Sequence, residues 1–143
     1  MVGSTECKII SIERGAHYRG TTYDQNVELE LETGVKLSAF DMDMELRDNS
    51  KGDSVTLLLS GFITQPIHPS NKNAGVKLPQ DKDPQFYLVG ELEEISGKYC
   101  TISSPELNLK IPKVEVDKIE EEISKGDKLE VPVDRLDIKD KIS

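Results

Sequence analysis

The sequence predicts an all-β fold, a single closed antiparallel barrel of about eight strands built from two similar halves, with one or two short helical turns. Three observations predict it. Apolar and polar residues alternate over short stretches throughout the chain, the period of a half-buried strand. Ser50-Lys51-Gly52-Asp53 returns as Ser124-Lys125-Gly126-Asp127, an offset of 74, and the likeness spreads outward from it. Lys36-Leu37 aligns with Lys110-Ile111, Phe40 with Val114, Asp43 with Asp117, and Leu57 and Leu59 with Val131 and Val133. Finally, the connections are short, and closing such strands into a barrel removes their exposed edges.

The elements follow in order. Residues 7–13, Cys-Lys-Ile-Ile-Ser-Ile-Glu, read as a strand, and residues 14–22 as a glycine-bracketed loop. Val27, Leu29 and Leu31 alternate with glutamates, so these three face the core. Thr33-Gly34 makes a tight hairpin turn into a strand over residues 35–40. Residues 43–49 form a helical turn with Asp43 as N-cap. Lys51-Gly52-Asp53 turns the chain into a largely buried strand at Val55-Thr56-Leu57-Leu58-Leu59. Residues 64–85 hold four of the seven prolines and no hydrophobic period, so they read as a long surface loop and as a second candidate contact for a partner. Beyond it, strands are expected at residues 86–92 and 99–102, and again where Leu107, Leu109 and Ile111 alternate. Asp117 and Glu120 have capping-box spacing, and Ile119 and Ile123 are four apart, which predicts helical turns over residues 117–123. Leu129-Glu130-Val131-Pro132-Val133 alternates, and Pro132 places that strand at an edge or bulge. Residues 137–143 read as a charged, fraying end.

The totals fit one domain of 143 residues: a first half at 1–63, the proline-rich loop at 64–85 and a second half at 86–143. Each half alone would bury too small a fraction of its surface, so the two share a core. With no Trp and 5% aromatics, that core is aliphatic. Net charge is −9, and both halves are acidic: six basic against eleven acidic groups in 1–63, nine against fourteen in 86–143. Such a chain does not neutralise duplex nucleic acid or anionic membrane over a broad face. Protein partners with basic surfaces fit it better. Cys7 and Cys100 show no metal-knuckle spacing and read as buried free thiols of a reducing cytoplasm. The N-terminus has no leader pattern and no apolar run approaches a membrane span, so the expected location is cytoplasmic.

Catalysis finds little support in the residues. Neither His17 nor His68 comes with a recognisable nucleophile and orienter, and Ser60-Gly61 lacks the first glycine of a nucleophile elbow. No phosphate-cradling glycine loop or zinc spacing occurs, so no enzyme activity, cofactor or metal is expected. Asp41, Asp43 and Glu45 have the alternation of a hard-cation cluster, but a solvated face running into a helix cap explains them. The basic and aromatic stretch is Arg14, His17, Tyr18 and Arg19, with Tyr23 beyond. No acid lies between Glu13 and Asp24, and half of the four arginines sit here. These five residues are the candidate contacts for a protein partner or for single-stranded nucleic acid, which stacks on tyrosine and pairs with arginine. A small ligand bound through the same loop is the other alternative. The repeated Lys-Gly-Asp needs only a turn before a strand to explain it.

Local sequence then resembles a known family. Residues 7–15 (Cys-Lys-Ile-Ile-Ser-Ile-Glu-Arg-Gly), Phe86-Tyr87-Leu88-Val89-Gly90, Lys98-Tyr99-Cys100-Thr101-Ile102-Ser103 and Leu107-Asn108-Leu109-Lys110-Ile111 are similar to strands of the small subunit 8 family of DNA-dependent RNA polymerases. The resemblance implies an oligonucleotide-binding (OB) type barrel with pseudo-two-fold halves and a large Ω-loop. It also implies a non-catalytic role in transcription, docked on the largest polymerase subunit. The chain departs from the family pattern at the acidic run Glu91-Leu92-Glu93-Glu94 and at Pro112-Lys113, where the family has a glycine.

Overall fold

The computed structural model describes residues 3–14, 17–18, 21–22, 24–43, 45–46, 51–81 and 83–142. Strands dominate them, and five close a ring: β1 (Ser4–Arg14), β4 (Gln25–Leu31), β5 (Lys36–Asp41), β13 (Arg135–Lys141) and β6 (Ser54–Phe62), which returns to β1. The β5–β13 pair is parallel and the other four are antiparallel. β1 makes the closure possible. Its residues 4–8 pair with β6 and its residues 7–14 with β4. The β1–β4 register skips Ile10, and such a bulge bends and twists a strand enough to serve two partners in a small barrel.

Alternation fills the ring as the sequence predicts. Val27, Leu29 and Leu31 of β4, Leu37 and Ala39 of β5, and Val55, Leu57 and Leu59 of β6 are all buried. Each fully buried Leu or Ile contributes roughly 1.5–3 kcal/mol. The β4–β5 hairpin turns at Gly34, whose φ of 90° only glycine adopts freely.

The remaining strands do not enter the ring. β11 (Asn108–Pro112) meets β6 through one parallel bridge, Lys110 to Ser60. From there an open ladder runs through β10 (Tyr99–Ser103), β9 (Phe86–Ser96) and β12 (Lys128–Val133) to β7 (His68–Pro69), and β8 (Gly75–Lys77) lies on β9. Phe86, Leu88, Leu92, Ile102, Leu109, Ile111, Leu129 and Val131 are buried in one apolar cluster continuous with the ring. Polar bonds close the seam. Thr5 Oγ1 donates to Asn108 O (3.0 Å) and accepts from Asn108 N (2.9 Å), and Asn108 Nδ2 donates to Ser4 O (2.7 Å).

The two Lys-Gly-Asp turns have the same setting. Gly52 N–H donates to Ile9 O, and Ile9 N–H to Asp53 O. Likewise Gly126 N–H donates to Leu92 O, and Leu92 N–H to Asp127 O. Gly52 and Gly126 have φ of 88° and 96°.

Four expectations are corrected. The closed barrel has five strands instead of about eight, because β13 inserts between β5 and β6 and completes the ring without the ladder. That strand covers residues read as a fraying end. Leu136 and Ile138 are its only buried apolar residues, too few to give a period in a charged stretch. The helix α1 spans Lys113–Asp117, one turn earlier than the capping-box spacing implies, and Pro112 stands at its N-cap. Ile119 and Ile123 still pack on the core, from irregular backbone instead of helix. Asp41, read as part of a solvated face, is buried and caps the turn after β5. Its carboxylate accepts from Glu45 N (2.8 Å) and Leu46 N (2.9 Å). Residues 44 and 47–50 of the helical turn expected there lie outside the described residues.

Candidate functional site

The basic and aromatic stretch lies on a ribbon between β1 and β4. Arg14 ends β1 opposite Gln25. β2 (His17–Tyr18) then pairs with β3 (Thr21–Thr22), His17 opposite Thr22 and Tyr18 opposite Thr21. The two form a separate small sheet at the β1–β4 connection. Arg19 and Tyr23 lie outside the described residues. A single ribbon therefore carries Arg14, His17 and Tyr18.

At the root of the ribbon lies a buried polar knot. Gln25 and Asp41 are both fully buried and face each other across the β4–β5 pair. Gln25 Nε2 donates to Asp41 Oδ2 (2.8 Å) and to Leu46 O (2.7 Å). Burying a carboxylate is tolerable here because it accepts three hydrogen bonds. This uses up Asp41 as a potential cation ligand. Among the described residues no group of three or more His, Cys, Asp or Glu side chains is placed to hold a metal.

A second feature lies on the far side of the molecule's chain order. Residues 64–85, read as a loop, are tied down along their length. β7 pairs with β12 and β8 with β9, antiparallel in both cases. Ser70 N–H donates to Lys128 O (3.0 Å), and Lys128 Nζ donates to Lys72 O (2.9 Å). Glu106 accepts from Val76 N–H (2.5 Å) and from the Thr33 hydroxyl, which links β8 to the β4–β5 turn. The Gln85 side-chain amide pairs with the backbone of Ser38 in both directions, at 2.8 and 3.1 Å. Between this segment and strands β9 and β12 runs a groove of about 670 Å³. Its walls include Pro66, His68, Lys77, Leu78, Tyr87 and Pro132. Lys72 and Glu130 also face it and form an ion pair at 2.8 Å. The sequence marks residues 64–85 as a candidate contact, but not the groove, whose other wall on β9 and β12 lies far off in the chain. The available signal was composition: residues 64–80 contain no acid.

Two other surfaces stand out. Arg135 stacks between Phe40 and Phe62, 5.4 and 5.0 Å from their ring centres, across β5, β13 and β6. Its guanidinium also bonds Asp137 at 2.7 Å. A cavity of about 310 Å³ lies beside α1, its apolar lining (Leu92, Ile95, Cys100, Val116, Ile119 and Ile123) mixed with the charged Lys113, Asp117 and Glu121. Cys100 and Cys7 are free and buried, as the sequence predicts. Burial pushes the Cys7 thiol up to about 12. Burial raises Cys100 as well, the Asp117 carboxylate adds to this, and the Lys113 ammonium opposes it. Neither thiol has the thiolate character that nucleophilic chemistry needs.

No protein-family model matches this chain, and no curated protein sequence matches it. Among the described residues no helix is long and apolar enough to cross a membrane.

Proposed function

We propose that the chain is a non-catalytic OB-type barrel acting as a protein-interaction subunit in the cytoplasm, after the pattern of the small polymerase subunit that its sequence resembles. The strand order supports the barrel type. Taking β1, β4, β5, β6 and β13 as first to fifth, the fourth strand lies beside the first, and the fifth pairs in parallel with the third. OB-fold barrels are five-stranded Greek-key rings of this kind. The ladder supports descent from a duplication. β11-β10-β9-β12 runs in the same order as β5-β4-β1-β6. Each first strand has a bulge just past its turn-holding residue, at Ile10 after Ile9 and at Glu93 after Leu92.

One observation carries the choice of a protein partner. OB-fold barrels bind nucleic acid on the outer face of their second and third strands. Here the outward residues of β4 and β5 are Asn26, Glu28, Glu30, Lys36, Ser38 and Phe40. Glu30 lies between Lys8 and Lys36 in register, so the face has no continuous basic track, and Glu28 stands opposite Ser38 without a lysine across from it. The Glu28 carboxylate repels phosphates and suits a basic protein surface, such as one on a large RNA polymerase subunit. The test is affinity purification of the tagged protein from its native host, with mass spectrometry of what co-purifies. Stoichiometric recovery of the large polymerase subunits is expected. Recovery of the protein alone, at native levels and moderate salt, overturns the reading.

The placement of the ribbon favours a second reading. In OB-fold barrels the connection between the first two strands contacts the ligand. Here it carries Arg14, His17, Tyr18 and Arg19, with Tyr23 at its end. On this reading the ribbon binds single-stranded nucleic acid or a small ligand. An Arg14→Glu/Arg19→Glu double variant then loses a salt-dependent affinity for oligonucleotides. Unchanged binding in that variant removes it.

A further inference from the structure

We propose that the groove between residues 65–80 and strands β9 and β12 seats an extended acidic segment of a protein partner. The proposal rests on the docking reading above and names the chemistry that one of its contacts recognises. Its first support is charge. The chain carries −9 overall, yet residues 64–80 hold two lysines, one histidine and no acid. The acid on the opposite wall, Glu130, is matched by Lys72 at 2.8 Å, while Lys77 stands exposed on β8. A partner carboxylate therefore meets a locally positive surface on an otherwise repulsive molecule.

The second support is shape and lining. About 670 Å³ lies within the ~300–1,000 Å³ range of ligand clefts, and residues of four strands, β7, β8, β9 and β12, line it. Pro66, Pro79, Pro132, Leu78 and Tyr87 supply apolar contact between the charged groups. Leu78 is 65% exposed, a large apolar side chain with no cover. The prolines are rigid before binding, so ordering the groove costs little entropy. Pro132 has no N–H to offer, which disfavours strand addition along β12 and leaves recognition to side chains. An oligonucleotide suits the site less well. The groove has two lysines, no arginine and two rings, His68 and Tyr87, too few for a phosphate track with a run of stacked bases.

The experiment titrates the full-length protein into a fluorescein-labelled peptide of alternating glutamate and leucine, read by anisotropy. A lysine–leucine peptide and an oligothymidylate of similar length serve as comparators. Saturable binding of the acidic peptide is expected, weakening with added salt. Lys77→Glu should weaken it by about tenfold, and Leu78→Ala should weaken it too. Lys125→Glu makes the same change in net charge outside the groove and should leave binding as it is. Absence of acidic-peptide binding at millimolar concentration overturns the proposal. So does equal or tighter binding of either comparator, or an equal loss in Lys77→Glu and Lys125→Glu. The docking reading fails separately, by recovery of no partner in the purification. A partner recovered equally well with wild type and Lys77→Glu leaves docking standing and removes the groove.

Discussion

Gly90 shows how much one missing methyl group can carry. It lies where β9 passes from its pairing with β8 to its pairing with β10. A Cβ there would sit 2.6 Å from Ser103 O and 2.9 Å from Ile102 Cγ2. Backbone would have to move, so Gly90→Ala should cost about 1–3 kcal/mol or more, as overpacked cores do. Gly52 is the contrast: its φ is 88° but nothing lies within 4 Å of its Cβ position. Gly52→Ala should cost only the left-handed backbone penalty, about 1–2 kcal/mol. Urea unfolding followed by far-ultraviolet circular dichroism ranks the two, and a milder effect at Gly90 would contradict the close approach. Cys7 makes a pH prediction. Its folded pKa, about 12, lies above its ordinary value of 9.0. Between these values the unfolded chain gives up the thiol proton and the folded chain keeps it. The stabilisation is complete below pH 9 and lost as pH rises toward 12. The stability of wild type should therefore fall more steeply over that window than that of Cys7→Ala.

Among the elements, the segment at 64–85 is held by side chains as much as by strands. Gln85 stands in for a strand at Ser38, and Glu106 holds β8 against the β4–β5 turn. Gln85→Ala removes two hydrogen bonds worth about 0.5–1.5 kcal/mol each. Amide exchange at Ser38 should quicken while the global unfolding midpoint shifts little, because these bonds come from a side chain added to β5 and not from the ladder that holds the ring. Uniform quickening across β1, β4 and β6 would place Gln85 in the core of the fold instead. Elements with three or more alternating apolar residues and a glycine turn were legible in the sequence. The β4–β5 hairpin and Leu107, Leu109 and Ile111 are where the pattern put them. Short elements set by tertiary contact were not. β7 and β8 have two and three residues, below any readable period, and α1 forms against β10 and β11 without a side-chain cap. The groove inherits that blindness, because half of it is made of β8 and the chain beside it. The ribbon at 14–23 was legible as a position, since its composition differs from everything around it.

For the whole molecule, a closed barrel was legible, but which strands close it was not. Periodicity shows which face of a strand is buried, but not which strand lies beside it. The ring depends on β13, whose Leu136 and Ile138 are buried between β5 and β6. Deleting residues 135–141 removes few apolar groups, yet it leaves two strands with bare edges. The expected result is loss of a single cooperative urea transition, where a fraying tail would be removed without effect. Leu136→Ala is the gentler version and should cost about 2–5 kcal/mol. Residues 63–134 leave the ring at the end of β6 and return at β13, and Asp134 clasps that neck through Thr64 N–H (2.9 Å) and the Thr64 hydroxyl.

That route through the ring has a consequence during synthesis. The ribosome makes β1, β4, β5 and β6 in succession, then all of residues 63–134, and only then the strand that closes the ring. For that interval the nascent chain presents two unpaired edges and an open aliphatic interior, the conditions under which strands pair with the wrong neighbour. The ladder, complete before β13 emerges, is positioned against β6 by the Lys110–Ser60 bridge and shields part of that surface. Chains stalled just before residue 135 should therefore be far more sensitive to protease, and more dependent on chaperones, than chains stalled a short distance after 141.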